Sequence, residues 1–344
     1  MDKIKSLLPN GVLNVLRKLK TYTNTYLLFW IDRKNFLNAY AKSSSKELEN
    51  IKAQMIFYGH SIEKGLSREN IRLGFGKTVI VSLLEQMNKY IFLGFDREDI
   101  CFINAASIVN EYLNLHAEND FEITYIPQKY TPLINDIKKI KSDLGGVITH
   151  LSIDKIDKQQ MNFKELALNR SSIRDYNEKS VDKERIVEAI SIATKSPSVC
   201  NRQSSRVYVI TDKYKIKQAL NIQGGFKGYA LPPCLILVTS DIRSFIDVSE
   251  RHQPYIDGGI FSMSLVYALE YEGFVTCILN AMFDNRKIKK TKELLNIPNS
   301  ENLILYISVG NSKREYTIPK SFRYPIEQIS KFYYSNEERD LFLE

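Results

Sequence analysis

Two polar clusters in this chain have the residue types and spacing to do chemistry. They are Arg170-Ser171-Ser172-Ile173-Arg174 and Ser196-Pro197-Ser198-Val199-Cys200-Asn201-Arg202-Gln203. The first sets two guanidinium forks and two hydroxyls within five residues, a donor set suited to the phosphate of a small cofactor. The second is a turn of small residues carrying the carboxamides of Asn201 and Gln203. Each can donate and accept, which suits the edge of a heteroaromatic ring. Between the clusters Ile186, Val187, Ile190 and Ala193 recur at helical spacing, and Asp182 stands where an N-cap belongs. A helix there separates the clusters and keeps each near one of its ends.

Other candidate chemistry is thinner. His60, Glu63 and Lys64 fall three and four residues apart beside Gly65, on one face of a predicted helix that Gly65 would stop. They offer an accessory substrate-binding or acid/base group; the plainer reading is a capped, charged helix end. Gly74-Phe75-Gly76-Lys77-Thr78 resembles a P-loop only in part, because the motif needs glycine where Ile71 stands. Cys101, Cys200, Cys234 and Cys277 lie far apart with no histidine at metal-ligand spacing. They read as free thiols of a reducing cytoplasm, and no metal site is expected.

The elements that must position these residues divide the chain into an N-terminal unit, 1–160, and a C-terminal one, 161–344. The first reads as mostly helical, with candidates at Glu47–Glu63, Lys77–Leu93 and Asp96–Leu115. From Ala117 to Asn162 the periodicity weakens around Pro127, Pro132 and Gly145-Gly146. That stretch reads as a linker, part of which packs as a further helix. In the second unit Phe163–Asn169 predicts a helix leading into the arginine cluster. Arg206–Thr211, Cys234–Thr239, Phe274–Leu279 and Leu303–Val309 predict strands, and Gly258–Glu272 a long apolar helix ending before Gly273. The alternation predicts an α+β fold, a mixed sheet covered by helices, preceded by the helical unit.

The two clusters resemble the R-x-S-x-R and P-S-x-x-N-x-Q boxes of the nitroreductase family of flavin mononucleotide (FMN) enzymes. The resemblance covers roughly 163–330 and keeps the family's order of landmarks. Leu231-Pro232-Pro233 leads a central strand, and Asp257-Gly258-Gly259 opens the long helix. Gly273 to Asn280 is similar to the G-x-x-T-C segment, whose backbone lies along the flavin ring. Val309-Gly310-Asn311 and Arg323-Tyr324-Pro325-Ile326-Glu327 close the domain. The resemblance implies a homodimer with two flavins at the subunit interface. It places Arg170 and Arg323 on the FMN phosphate with Ser171 and Ser172, and Arg174 near the N1–C2=O edge of the ring. Pro197, Ser198, Asn201, Gln203, Leu279 and Asn280 complete the cofactor site. The tail departs from the family's K-x-R, since Ser321 takes the lysine position and Lys320 precedes it. The lid segment shrinks to Ser244–Gln253, so a pocket wall must come from the N-terminal unit or the other subunit.

The implied activity is hydride transfer from NAD(P)H through FMN to a small-molecule acceptor such as a nitro-aromatic, quinone or enone. The flavin carries the redox step, and no catalytic side chain is expected beyond the charge of Arg174. The alternative is a non-redox interaction protein, with or without flavin, whose basic N-terminal unit binds a membrane or anionic polymer. A net charge of +8 admits an anionic partner without choosing one. No nucleic-acid-reading motif is present. No signal-peptide pattern opens the sequence, and a cytoplasmic location is expected. A basic amphipathic helix over Lys3–Lys20 is expected to dock on its own domain, with peripheral membrane contact the less favoured alternative.

Overall fold

A computed structural model describes residues 9–39, 41–151, 158–246 and 248–333. The helices are α1 (Asn10–Ala39), α2 (Leu48–Leu66), α3 (Lys77–Phe92), α4 (Ile100–Glu118), α5 (Thr131–Ile137), α6 (Phe163–Asn169), α7 (Lys183–Ala193), α8 (Lys213–Gln223), α9 (Gln253–Tyr271), α10 (Asn285–Leu295) and α11 (Ile326–Ile329). The strands are β1 (Val147–Leu151), β2 (Ser205–Ile210), β3 (Cys234–Asp241), β4 (Val275–Asn280), β5 (Glu301–Gly310) and β6 (Glu315–Pro319).

The chain folds as two compact units that no single cut separates. One holds the residues up to 40 together with Thr149–Ile318; the other holds Ala41–Ile148 and the chain from Pro319. The division differs from the sequence boundary at 160/161 for two local reasons. Asp32 of α1 ion-pairs with Arg251, 2.8 Å from Nε, and lies 3.0 Å from His252 Nε2. Phe322 and Tyr324 of the tail pack into the helical core, where the Tyr324 hydroxyl lies 3.1 Å from Cys101 Sγ.

In the sheet-bearing unit the strand order is β2-β3-β5-β4, antiparallel throughout. One parallel bridge, Ser172 to Thr276, adds the mixed element. Every residue of β3 is buried, because helices cover both faces. Leu235 and Leu237 point into a core with Ile216 and Leu220 of α8. Ile236 and Val238, one residue out of step, meet Ile186 of α7 and Leu265 and Leu269 of α9. Asp182 caps α7 as its sequence position predicts, accepting from the Glu184 and Arg185 amides. Gly273, at φ +84, carries the chain from α9 into β4.

The helical unit packs Ile51, Met55 and Ile62 of α2 against Leu83 and Met87 of α3 and Phe102 and Tyr112 of α4. One expectation is met in part and one changes here. The stretch read as a linker is in part core: Tyr130, Leu133 and Ile137 of the α5 region are buried, and β1 follows. Gly65 does not stop α2, which runs to Leu66. A Cβ at Gly65 would fall 2.0 Å from the Phe75 ring, so close packing requires glycine there. Phe75 is buried and Gly76 is the N-cap of α3, which gives the rejected P-loop segment a packing role.

Candidate functional site

The arginine cluster is set by a helix stop and a strand. α6 begins with a capping box in which Asn162 accepts from the Glu165 amide while the Glu165 carboxylate accepts from the Asn162 amide. It ends at Arg170, whose backbone turns extended. The chain then runs alongside β4: Ser172 bridges Thr276, and the Ile173 amide donates to Thr276 O at 2.9 Å. Ile173 is buried and anchors the segment, leaving Arg170, Ser171, Ser172 and Arg174 half-buried. Beneath it the Tyr176 hydroxyl donates to Ile173 O at 2.9 Å and meets Ser308 Oγ at 2.7 Å. Complete burial pushes the Tyr176 phenol well above its ordinary pKa, so it stays a donor. Arg174 presents an anomaly: its Nε is sealed from solvent and has no hydrogen-bond partner among the described residues.

The carboxamide cluster is a strained turn. Cys200, Asn201 and Gln203 adopt φ of 48°, 55° and 50°. Asparagine tolerates this region, but for cysteine and glutamine it costs on the order of 1–3 kcal/mol each. Such strain persists only where the surroundings over-determine it, and three anchors do so. Asp257, buried at the start of α9, accepts from the Val199 amide at 3.2 Å and from Gln253 Nε2 at 2.7 Å. Ser198 Oγ accepts from the Gln203 amide at 3.0 Å. Arg202 forks onto the Glu250 carboxylate, with Nη1 at 3.1 Å and Nη2 closer, and donates to Val199 O from Nε. That carboxylate raises the Arg202 pKa and fixes its charge.

The side chains of Asn201 and Gln203 are thereby left exposed. Pro197, Ser198 and Gln203 come together, with Arg206 and Asp257, around a cleft of about 190 Å³. A second, apolar groove of about 580 Å³ shares Ser196 and Pro197 with it and is walled by Phe163, Leu166, Tyr267 and Tyr271. Arg170, Ser171, Ser172 and Arg174 line neither; they lie along β4 instead. On β4 itself Leu279 is buried and Asn280 exposed, with Asn280 O accepting from Gln223 Nε2 at 3.3 Å.

The remaining predicted residues belong to the helical unit. Lys320 Nζ donates to Asp143 O at 2.7 Å, and Arg323 Nη1 donates to the backbone carbonyls of Ser321 and Phe322. His60 and Glu63 do come together, Nδ1 to Oε2 at 3.5 Å, while Lys64 is half-buried beside them. Glu63 is buried and its other oxygen accepts from the Gly146 amide at 3.1 Å. Glu111 accepts from the Val147 amide at 3.1 Å, and burial raises its pKa. The two carboxylates thus hold the 146–147 backbone, and Glu63 has a structural task that the helical spacing did not foretell. Sequence reasoning also missed Glu250, which lies 48 residues from Arg202 with no local signal. Asp257 carried one, as the acid of the Asp257-Gly258-Gly259 segment that opens the predicted long helix.

The thiols separate sharply. Burial pushes Cys101 to about 11 and Cys234 to about 12, and Cys277 is also buried; Cys200 is exposed on the strained turn. Ellman's reagent is expected to react rapidly with one thiol in the native protein and with four after denaturation. Cys200→Ser is expected to remove the rapid phase.

Residues 167–227, which span both clusters, match the model of the Nitroreductase family. No curated protein matches the chain. Among solved structures, a nitroreductase family protein from Clostridium novyi NT is 24% identical, covering 44% of this chain and 86% of its own, at a TM-score of 0.38. The Nitroreductase Family Protein from Streptococcus pneumoniae TIGR4 is 22% identical, covering 50% and 100%, at 0.43. NfrA2 of B. megaterium is 21% identical, covering 53% and 78%, at 0.45. The match to the Nitroreductase family thus covers residues 167–227, both polar clusters included, and a helical region precedes it.

Proposed function

We propose that this domain binds FMN and acts, as a homodimer, as an NAD(P)H-dependent oxidoreductase for an electrophilic acceptor of the nitro-aromatic, quinone or enone type. The observation that carries the reading is Arg174. A buried N–H without an acceptor among the described residues costs about 1–3 kcal/mol, and the acceptor-rich edge of a flavin would supply partners to the Arg174 guanidinium. The rest of the donor set fits the same group: a guanidinium and two hydroxyls at a helix stop, and two exposed carboxamides on a rigid turn.

When bound, FMN supplies two-electron hydride chemistry between a nicotinamide and the acceptor. The side chains hold and tune. Arg170 would hold the phosphate, with Ser171 and Ser172 as further donors, and Arg323 and Lys320 are the tail cations that the family resemblance assigns to it. Pro197, Ser198, Asn201 and Gln203 would hold the ring and ribityl chain, with the backbone of Leu279 and Asn280 beside them. Arg174 places a fixed positive charge where negative charge develops on reduction.

Arg174→Gln keeps a donor and removes that charge. With FMN still bound, spectroelectrochemistry is expected to show a more negative midpoint potential, by about 30 mV for each ~1.4 kcal/mol of lost stabilisation. An unchanged potential contradicts the assignment of Arg174 to the ring.

A further inference from the structure

Helix α1 is turned inside out relative to an ordinary surface helix. It runs 30 residues, about 45 Å. The side it turns toward its own unit carries Thr25, Leu28 and Asp32, half-buried at positions i, i+3 and i+7, with Asp32 held by Arg251 and His252. On the opposite side Val12, Val15, Leu16, Leu19, Tyr26 and Trp30 share one face at helical spacing, each between 44% and 69% exposed. Of the segment Lys3–Lys20 expected to dock on its own domain, residues 3–8 lie outside the described residues; the described helix meets its unit through the Asp32 side and leaves its apolar side exposed. Its apolar side faces solvent over more than four turns, far more than isolated exposed residues require.

Charge decides what covers it. Arg17, Lys18, Lys20, Arg33 and Lys34 lie on α1, and the one acid, Asp32, is committed to Arg251. Lys18 and Lys20 border the apolar face on its two sides. A second copy of α1 would bring like charges together along the seam, whereas helix pairing calls for opposite charges there. An anionic surface meets Lys18 and Lys20 at the borders of the face and Arg33 and Lys34 at its C-terminal end, while Arg17 projects from the opposite side. Among the described residues no helix is long and apolar enough to cross a membrane, so α1 fits the plane of an interface and not its depth.

We propose that α1 is a peripheral membrane-binding helix that lays its Val12–Trp30 face into the headgroup region of an anionic bilayer, with Lys18, Lys20, Arg33 and Lys34 on the lipid phosphates. Aromatic side chains at one end of the face and basic residues along its borders are the composition such interfacial helices use.

Trp30 is the sole tryptophan of the chain, so its emission reports on this face alone. Full-length protein is titrated with phosphatidylcholine vesicles containing phosphatidylglycerol, and with pure phosphatidylcholine vesicles, reading Trp30 emission and co-sedimentation. A blue shift and binding on the anionic vesicles are expected, falling at least tenfold on neutral ones and in high salt. Leu19→Glu with Tyr26→Glu, both at exposed positions, is expected to lower anionic-vesicle binding at least tenfold with the circular dichroism unchanged. Lys18→Glu with Lys20→Glu is expected to weaken binding to anionic vesicles selectively. No blue shift with anionic vesicles overturns the proposal. So does a blue shift that grows with protein concentration in the absence of lipid, which would make a second copy the occupant.

Discussion

Arg170→Ala is expected to weaken FMN binding about 30- to 1000-fold, the largest single effect in the proposed cofactor site. The residue leaves α6 at the point where the backbone turns extended, and the following segment is pinned to β4 through Ser172 and Ile173. The backbone that carries it is thus held at a fixed place on a rigid edge, which lowers the ordering cost of its hydrogen bonds. Removing it leaves charged phosphate oxygens short of a bidentate partner, at a cost of about 2–4 kcal/mol. Fluorescence titration of FMN with the full chain measures the loss. Arg170→Lys is expected to recover part of it, because a single ammonium keeps the charge but not the fork. Arg323→Ala tests the tail arginine in the same way, and wild-type affinity in both alanine variants would remove the phosphate site from this account.

Asp257→Ala is expected to damage the carboxamide turn from beneath. Asp257 touches no exposed surface; it receives the Val199 amide and the Gln253 carboxamide and sits below three residues in left-handed backbone. Its loss orphans two donors, at about 1–3 kcal/mol, and lets Cys200 and Gln203 relax toward ordinary φ. For a unit of this size the melting temperature is expected to fall by roughly 2–12 °C. FMN affinity is expected to fall further than stability alone dictates, because Asn201 and Gln203 lose their fixed placement. Asp257→Asn, which keeps an acceptor for the Val199 amide, separates the two effects: most of the stability and much of the affinity should return. Unchanged melting and unchanged FMN affinity in the alanine variant would show that the turn holds itself.

What could be read in the sequence was local. The Asn162–Glu165 capping box, the Asp182 cap and the β-branched runs of β2 to β5 write their structures within a few residues, and each element formed close to where its pattern placed it. The polar clusters were legible for the same reason, since their donors are adjacent in the chain. The features that fix the geometry of those clusters are distant or contrary to propensity. Glu250 reaches Arg202, and Asp257 reaches Val199, across about fifty residues of chain. Cys200 and Gln203 adopt backbone that their own types disfavour, which no propensity foretells. In the helical unit Glu63 shows periodicity that fits a ligand-facing helix end equally well, and only its bond to Gly146 assigns it to the interior. The orientation of α1 was hidden for the opposite reason: its amphipathic pattern is plain, but pattern alone does not say which side the protein turns outward.

The central claim, that the C-terminal half is an FMN redox domain, is tested most directly by anaerobic reduction. Full-length protein is saturated with FMN, freed of excess, and titrated with NADH or NADPH while its visible absorption is followed. The account predicts that one equivalent of a reduced nicotinamide bleaches the bound flavin and that a quinone or nitro-aromatic restores its colour. A chain that retains no FMN, or that holds FMN which neither nicotinamide reduces, would contradict it.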